Sequence, residues 1–284
     1  MDLGPHVFPS VKFGYIYLKL VEDERFRDFR FVEPRPLSKK EAQAAHSESY
    51  LNDLLTLNRS RALSRSELPL TAPIVEAFFL ASGGTVQAAR EALGSGRAIN
   101  IGGGFHHAFA DQAEGFCYLN DVAIAIRLLQ KEKLIKKALI IDLDVHQGNG
   151  TAKIFRWDSN VFTFSMHEEK NYPAIKEKGS LDVALKTGTS DEEYLTLLSQ
   201  ALEHIRRKFK PEIIFYLAGT DVFENDQLGG MKLTYEGMAE RDRMVRDFLP
   251  EIPMAVVMAG GYALKNEDTV NLHFQTCEVM AGFR

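Results

Sequence analysis

The chain has 284 residues, of which 45% are hydrophobic and 26% charged, and this ordinary globular composition argues against a disordered protein. Its formal net charge of −5 argues against a nucleic-acid partner, because the chain is not built to neutralise phosphate. The two cysteines lack CxxC spacing, which excludes a disulfide scaffold and a thiolate zinc finger and suits a reducing cytoplasm. We expect no signal peptide and no membrane span, because no apolar run approaches roughly 18 residues.

Strand and helix patterns alternate along most of the chain. A helix is predicted over 10–22, a short strand over 28–32 and a polar loop over 58–69. Apolar runs predict strands over 98–101, 138–141, 161–166, 212–217 and 254–258. Amphipathic periodicity predicts helices over 120–129, 191–209 and 235–249. This alternation predicts an α/β fold with a single, predominantly parallel β-sheet and helices on both faces.

Polar clusters follow the carboxyl ends of these predicted strands. They are His106–His107, Asp142 to His146, His167, Asp221 and Tyr262. In open parallel sheets this edge is where ligand sites form. We therefore expect the five clusters to converge on one site.

The segment from Asp142 to His146 has the sequence DLDVH, in which chemistry-bearing residues are two apart. Side chains with that spacing point the same way on an extended chain, so Asp144 and His146 could meet one ion. Asp221 from another loop would complete a three-ligand set with an open fourth position, as in catalytic zinc sites. Taken alone, the pentapeptide is more often a polar strand end than a metal site.

Two histidines in tandem, His106 and His107, follow three glycines. Histidine titrates near neutrality and is the usual general base, although a lone histidine after a glycine turn is more often structural. Tyr262 follows Gly260–Gly261, and its hydroxyl could either be satisfied in the core or donate to an oxyanion. The glycines lack phosphate-loop spacing, so a nucleotide-binding interpretation is weak. The sequence after His167 is not HExxH, which excludes a zincin-type protease.

Five segments together resemble the histone deacetylase family, from about His6 to the C-terminus. They are IGGGFHHAFADQAEGFCYLND, IIDLDVHQGNGT, FSMH, LAGTDVFENDQLGG and MAGGYA. Within the family the class IV branch is most similar, in HVFPSVKFG, DVHQGNG and the GTDV segment. The resemblance implies the arginase/deacetylase fold and one catalytic domain over residues 1–284.

The resemblance also implies roles for individual residues. Asp144, His146 and Asp221 correspond to zinc ligands, and His107 to the general base. His106 is its electrostatic partner, oriented by Asp142, and Tyr262 polarises the scissile carbonyl. These are expectations carried over by position.

Substrate and potassium sites are implied in the same way. Gly115 and Phe116 resemble the wall of an acyl-lysine channel, and Leu228 falls at its rim. A structural K⁺ site corresponds to backbone carbonyls of Asp142, Asp144 and His146 together with Ser165. A second, looser match involves Phe155, Asp158 and Val161.

The chain also departs from the family pattern. Asn149 stands where class I enzymes have an aspartate, so His107 is expected to be less basic than in those enzymes. Gln147 replaces a common histidine, which favours class IV. Only five residues precede His6, so the family's first strand is expected to be absent, and no acidic rim residue is identified.

The expected function is zinc-dependent hydrolysis of an acyl group, acetyl or possibly a long fatty acyl, from the ε-amine of lysine in a protein or peptide. One alternative is a small-molecule amidohydrolase acting on acetylated polyamines. Another is a catalytically silent acyl-lysine-binding protein. The first alternative needs a rim acid to receive a second ammonium, and the second is disfavoured by the complete set of candidate ligands, histidines and tyrosine.

Overall fold

A six-stranded, wholly parallel sheet forms the centre of the protein. The computed structural model describes residues 6–284. The strands lie in the order β1-β6-β5-β2-β3-β4. They are β1 Arg97–Asn100, β2 Ala138–Asp142, β3 Val161–Glu168, β4 Leu181–Leu185, β5 Ile213–Leu217 and β6 Met254–Val257.

Nine α-helices occur in the described part of the chain. They are α1 Lys12–Glu22, α2 Lys39–Ala42, α3 Glu48–Leu55, α4 Ala72–Ser95, α5 Asp121–Lys131, α6 Asn149–Phe155, α7 Asp191–Lys208, α8 Tyr235–Arg246 and α9 Asn266–Met280. Within residues 6–284 no helix is both long and apolar enough to cross a bilayer.

Alternate residues of each central strand enter two different hydrophobic cores, because side chains alternate across a strand. In β5, Phe215 joins the core formed with α3, α4 and α5, whereas Ile214 and Tyr216 join the core formed with α7 and α8. Burial on both faces explains why the strands read as continuous apolar runs. The expected sheet with helices on both faces is confirmed.

The N-terminal part differs from the sequence prediction. The strand expected over 28–32 is wrong: this segment forms no ladder, and its side chains at Phe29, Phe31 and Val32 are exposed. It runs along α4, where Arg30 pairs with Glu91. Residues 1–5, on which the expectation of a missing first strand falls, lie outside the described residues.

Candidate active site

Two carboxylates and one imidazole meet where β2 and β5 end. One ligand atom from each of Asp144, His146 and Asp221 lies within 4.8 Å of the others, and all three side chains are buried. His146 Nδ1 is 3.0 Å from Asp144 Oδ1 and 3.3 Å from Asp221 Oδ2. Asp221 reaches the pair because β5 pairs directly with β2.

The donor set fits a divalent metal. Asp221 Oδ2 is buried and receives no hydrogen bond in the described structure. Buried carboxylates without such partners are costly unless a cation balances them. Oxygen and imidazole nitrogen are zinc donors, and no fourth His, Cys, Asp or Glu joins the cluster within residues 6–284. The cluster therefore has the composition of an open, three-ligand site.

Backbone amides fix the two carboxylates. Asp144 Oδ2 accepts from the Gly260 amide at 2.8 Å, and Asp221 Oδ1 accepts from the Val145 amide at 2.8 Å. A Cβ at Gly260 would come within 2.5 Å of Asp144 Oδ2. Gly260 follows β6, and only glycine allows the chain after this strand to approach the cluster so closely.

His106 and His107 form a hydrogen-bonded chain beside the cluster. His106 Nδ1 lies 2.7 Å from Asp142 Oδ2, and His107 Nδ1 lies 2.8 Å from Asn149 Oδ1. The two Nε2 atoms are 3.1 Å apart. Because an amide oxygen only accepts, His107 carries its proton on Nδ1 when neutral and leaves Nε2 as an acceptor.

The protein environment separates the pKa values of the two histidines. Burial lowers the pKa of His106, but the carboxylates of Asp142 and Asp144 outweigh it and raise the value to about 9. Burial and the charges of His106 and His146 hold the pKa of His107 well below its usual value. At neutral pH the proton between the two Nε2 atoms therefore lies on His106, and His107 is the neutral member of the pair.

The histidine loop is held by Asp121, the first residue of helix α5. Asp121 accepts from the amides of Gly104 and Phe105 at 2.9 and 2.8 Å, while Asn120 caps α5. Gly104 has a φ of +87°. Asp121 thereby fixes the turn that presents the two histidines.

The three predicted channel residues line one cavity of about 190 Å³ that reaches the metal cluster. Gly115 and Phe116 both have positive φ, +47° and +61°, and Leu228 lies on the cavity wall. The sequence did not identify Tyr172, whose ring centroid is 5.0 Å from that of His107. It lies in an irregular loop without a pattern that could have indicated it.

Tyr262 is 7% exposed and lines the same cavity. Burial, then the nearby carboxylates of Asp144 and Asp221, raise the pKa of Tyr262 well above its usual value. The phenol therefore stays protonated at neutral pH and is available as a hydrogen-bond donor.

The structure brings an acidic residue to the cavity that the sequence did not identify. Glu67 lines the cavity with an exposed side chain and a φ of +62°. It ends a short 3₁₀ turn in the polar loop before α4. No spacing rule separates this glutamate from the other charged residues of the loop.

The expected potassium residues have neighbouring backbones. Asp142 in β2 is in register with Ser165 in β3, and Ser165 Oγ lies 3.0 Å from His167 Nδ1. At the looser match, Asp158 N donates to Phe155 O and Asp158 O accepts from Val161 N. Potassium at either place stays a prediction.

Comparison with known proteins identifies the family. The model of the histone deacetylase domain matches residues 6–277. An uncharacterized protein of Picosynechococcus sp. is 40% identical over 94% of this chain and 90% of its own length. Histone deacetylase 2 of Arabidopsis thaliana is 36% identical over 90% of this chain and 70% of its own.

Solved structures agree with this result. An HDAC homolog from Aquifex aeolicus has a TM-score of 0.83 and 28% identity, covering 98% of this chain and 80% of that one. An HDAC homolog complexed with SAHA has a TM-score of 0.83 and 29% identity, covering 94% and 77%. The chain belongs to the histone deacetylase family.

Proposed function

We propose that this protein is a zinc-dependent hydrolase that removes an acyl group from the ε-amine of lysine in a protein or peptide. The observation that carries the proposal is the His106–His107 chain beside the buried Asp144/His146/Asp221 cluster. Two of the cluster residues, Asp144 and His146, line the same cavity as His106, His107 and Tyr262. This arrangement combines a base, an oxyanion donor and a metal-binding set around one reacting carbonyl.

The reaction is amide hydrolysis, and each side chain has a role in it. Zinc, when bound, would acidify water and polarise the acyl carbonyl. His107 Nε2 accepts the proton of the attacking water, and Asn149 keeps that ring oriented. Tyr262 donates its hydroxyl proton in a hydrogen bond to the developing oxyanion. The C–N bond then breaks, the lysine amine takes up a proton from the histidine pair, and the carboxylate leaves.

The lining and the volume of the channel favour a substrate lysine side chain that carries a short acyl group. Phe116, Tyr172 and Leu228 give the cavity apolar walls, which suit the methylenes of lysine. A volume of about 190 Å³ must hold both those methylenes and the acyl group. We therefore propose acetyl as the preferred group, with long acyl chains, which the class IV resemblance had made plausible, as poorer substrates.

Several finer features belong to the same proposal. Residues 1–284 would act as one cytoplasmic catalytic domain of the class IV type. Structural K⁺ would bind the backbone near Asp142 and Ser165, whose strands are adjacent.

Glu67 supports a second candidate, hydrolysis of acetylated polyamines. Its exposed carboxylate at the cavity could pair with a second ammonium of such a substrate or accept backbone N–H groups of a peptide. Glu67→Gln should lower kcat/KM on acetyl-lysine peptide by about 10-fold or less, since an amide oxygen still accepts N–H groups. A loss of more than about 100-fold confined to acetylspermidine would instead favour the polyamine substrate.

The deciding experiment measures turnover of acetyl-, octanoyl- and myristoyl-lysine peptides by zinc-loaded protein. We expect His107→Ala and Tyr262→Phe each to lower kcat by about 100-fold or more with an unchanged unfolding midpoint. His204→Ala, an exposed position on α7, is the control. Peptide binding without turnover by the wild type would instead identify a silent acyl-lysine binder.

A further inference from the structure

The loop between β5 and α8 encloses the backbone of Tyr262. Asp226 Oδ2 accepts from the Tyr262 amide at 2.7 Å. The other carboxylate oxygen, Oδ1, accepts from the amides of Leu228 and Gly229 at 2.8 and 3.1 Å. One carboxylate thus connects the candidate oxyanion donor with the channel residue Leu228.

The neighbouring residue, Gln227, holds the other backbone polar group of Tyr262. Gln227 donates to the Tyr262 carbonyl from its backbone amide at 3.1 Å and from Nε2 at 2.9 Å. The Leu264 amide donates to Asn225 O at 2.9 Å. Both backbone polar groups of Tyr262 are therefore occupied by residues 226 and 227.

Tyr262 needs such a support because of the glycines before it. Gly260 and Gly261 precede the tyrosine, and Gly261 has a φ of +148°. Glycine leaves the backbone conformation loosely determined. A hydroxyl that must meet a reacting oxygen within a few tenths of an ångström has to be fixed from elsewhere.

The loop also reaches the opposite wall of the channel. Asn171 Nδ2 donates to Leu228 O at 2.7 Å, and Asn171 directly precedes Tyr172. Glu168 at the end of β3 accepts from Gly230 N at 3.0 Å and from Asn171 Nδ2 at 2.7 Å. Tyr262 and the two channel walls are thus joined by one continuous hydrogen-bond network.

We propose that Asp226 is a positioning residue: its carboxylate aligns the Tyr262 hydroxyl with the scissile carbonyl and couples that alignment to the channel rim through Leu228. This inference rests on the proposed hydrolase function and adds to it a residue that never touches the substrate. Three N–H donors converge on the carboxylate, so an acceptor is required at both of its oxygens.

The test is a double-mutant cycle with Asp226→Asn and Tyr262→Phe in the zinc-loaded full chain. Asparagine keeps the shape but can accept at one atom only, so either the Tyr262 amide or the rim amides lose their partner. We expect D226N to lower kcat by about 10- to 100-fold with KM changed less than about 3-fold. In the Y262F background the same change should cost less than about 3-fold, because the hydroxyl that it aligns is already gone.

Two further variants separate positioning from a general effect on folding. Gln227→Ala removes an exposed side chain whose Nε2 donates to the Tyr262 carbonyl and, at 3.4 Å, to the Ala263 carbonyl. We expect a smaller loss that also vanishes in Y262F. Asp268→Asn, which alters a carboxylate bonded to Tyr235 on α8, should leave kcat unchanged. Bound zinc should stay close to the wild-type level in all of them, because none of the substitutions changes one of the three candidate ligands.

The outcomes distinguish this inference from the proposed function. If Y262F is impaired but D226N and Q227A turn over like the wild type, the positioning role is overturned and the hydrolase stands. Equal losses from D226N in both backgrounds would also overturn it, since the carboxylate would then act independently of Tyr262. Absence of wild-type turnover would overturn the hydrolase proposal and this inference together.

Discussion

At the scale of single residues, the candidate site depends on close approaches that leave no room for a side chain. Gly115 has a φ of +47°, and a Cβ there would lie 2.5 Å from His107 Cδ2 and 2.8 Å from Tyr172 Cε1. Gly115→Ala should therefore displace the His107 ring and narrow the channel. We expect kcat/KM for an acetyl-lysine peptide to fall by about 100-fold, since small misplacements of catalytic groups have effects of that order.

The matched control for this prediction is Gly188→Ala. Gly188 also has a positive φ, +86°, but nothing lies within 4 Å of a Cβ placed there. It should carry a similar backbone strain, about 1–2 kcal/mol, without touching the cavity. A comparable loss of activity in the two variants would show that backbone strain, and not the contact with His107, determines the effect.

The candidate metal ligands, the two histidines and Tyr262 share one property: they lie shortly after a strand or a glycine turn. The carboxyl ends of parallel strands lie at one edge of the sheet, so the sequence alone predicts that Asp144 and Asp221 lie close together. Tyr172 and Glu67 lie in irregular loops, where position depends on packing that no local pattern encodes. The segment LAGTDVFENDQLGG contains Asp226, but nothing in the sequence indicates its hydrogen bond to Tyr262.

At the scale of secondary-structure elements, five predicted strands are confirmed because each is a short apolar run. The long helix α4 was missed, since burial on several sides removes the single apolar stripe by which a helix is recognised. It also contains Gly83–Gly84, which resembles a break in the sequence. Edge strand β4 was missed too, because its alternate side chains are only partly buried.

His46 makes the folding stability of the protein sensitive to pH through its contact with the start of α5. Its Nε2 accepts from the Asn120 amide at the start of α5, which requires an unprotonated nitrogen. Burial lowers the pKa of His46 from 6.5 to about 4. A folded-state value below the unfolded one contributes stability at neutral pH that is lost as the pH falls from about 6.5 through 4.

The measurement is urea unfolding at pH 7.5 and 4.5 for the wild type and His46→Gln. The difference in unfolding free energy between the two proteins should change by about 2–3 kcal/mol over this range. The difference in unfolding free energy between the two proteins cancels the contributions of the other histidines, which both proteins contain. A difference that does not change with pH would mean that His46 is not the titrating group.

Helix α8 anchors the loop of a metal ligand through a buried cation. Arg241 is fully buried; its side chain donates to the Gly219 carbonyl at 2.6 Å and to Asp242 at 2.9 Å. Arg241→Met would leave Asp242 buried without its counter-ion, which typically costs about 3–5 kcal/mol. Arg243→Met on the same helix removes only a partly exposed pair with Glu240 and should cost less than about 1 kcal/mol. Equal unfolding midpoints of the two variants would contradict this role.

At the scale of the whole molecule, the metal cluster is a centre of buried negative charge to which β2 and β5 each contribute. Burial, and then the charge of Asp144, raise the pKa of Asp221, so the metal-free fold keeps two carboxylates together at a cost. Zinc at about 100 times its Kd should add about 2.7 kcal/mol to the unfolding free energy. In a chain of this size that corresponds to an increase in Tm of several degrees.

Thermal unfolding with chelator and with added zinc tests this prediction independently of any substrate. Asp221→Asn should abolish the zinc-dependent increase, because it removes one of the three candidate ligands. Asp268→Asn, which alters a carboxylate outside the cluster that is bonded to Tyr235, should keep the full zinc response. If Asp221→Asn kept it as well, the metal that stabilises the fold would bind elsewhere, and Asp221 could not be one of three ligands at a catalytic centre.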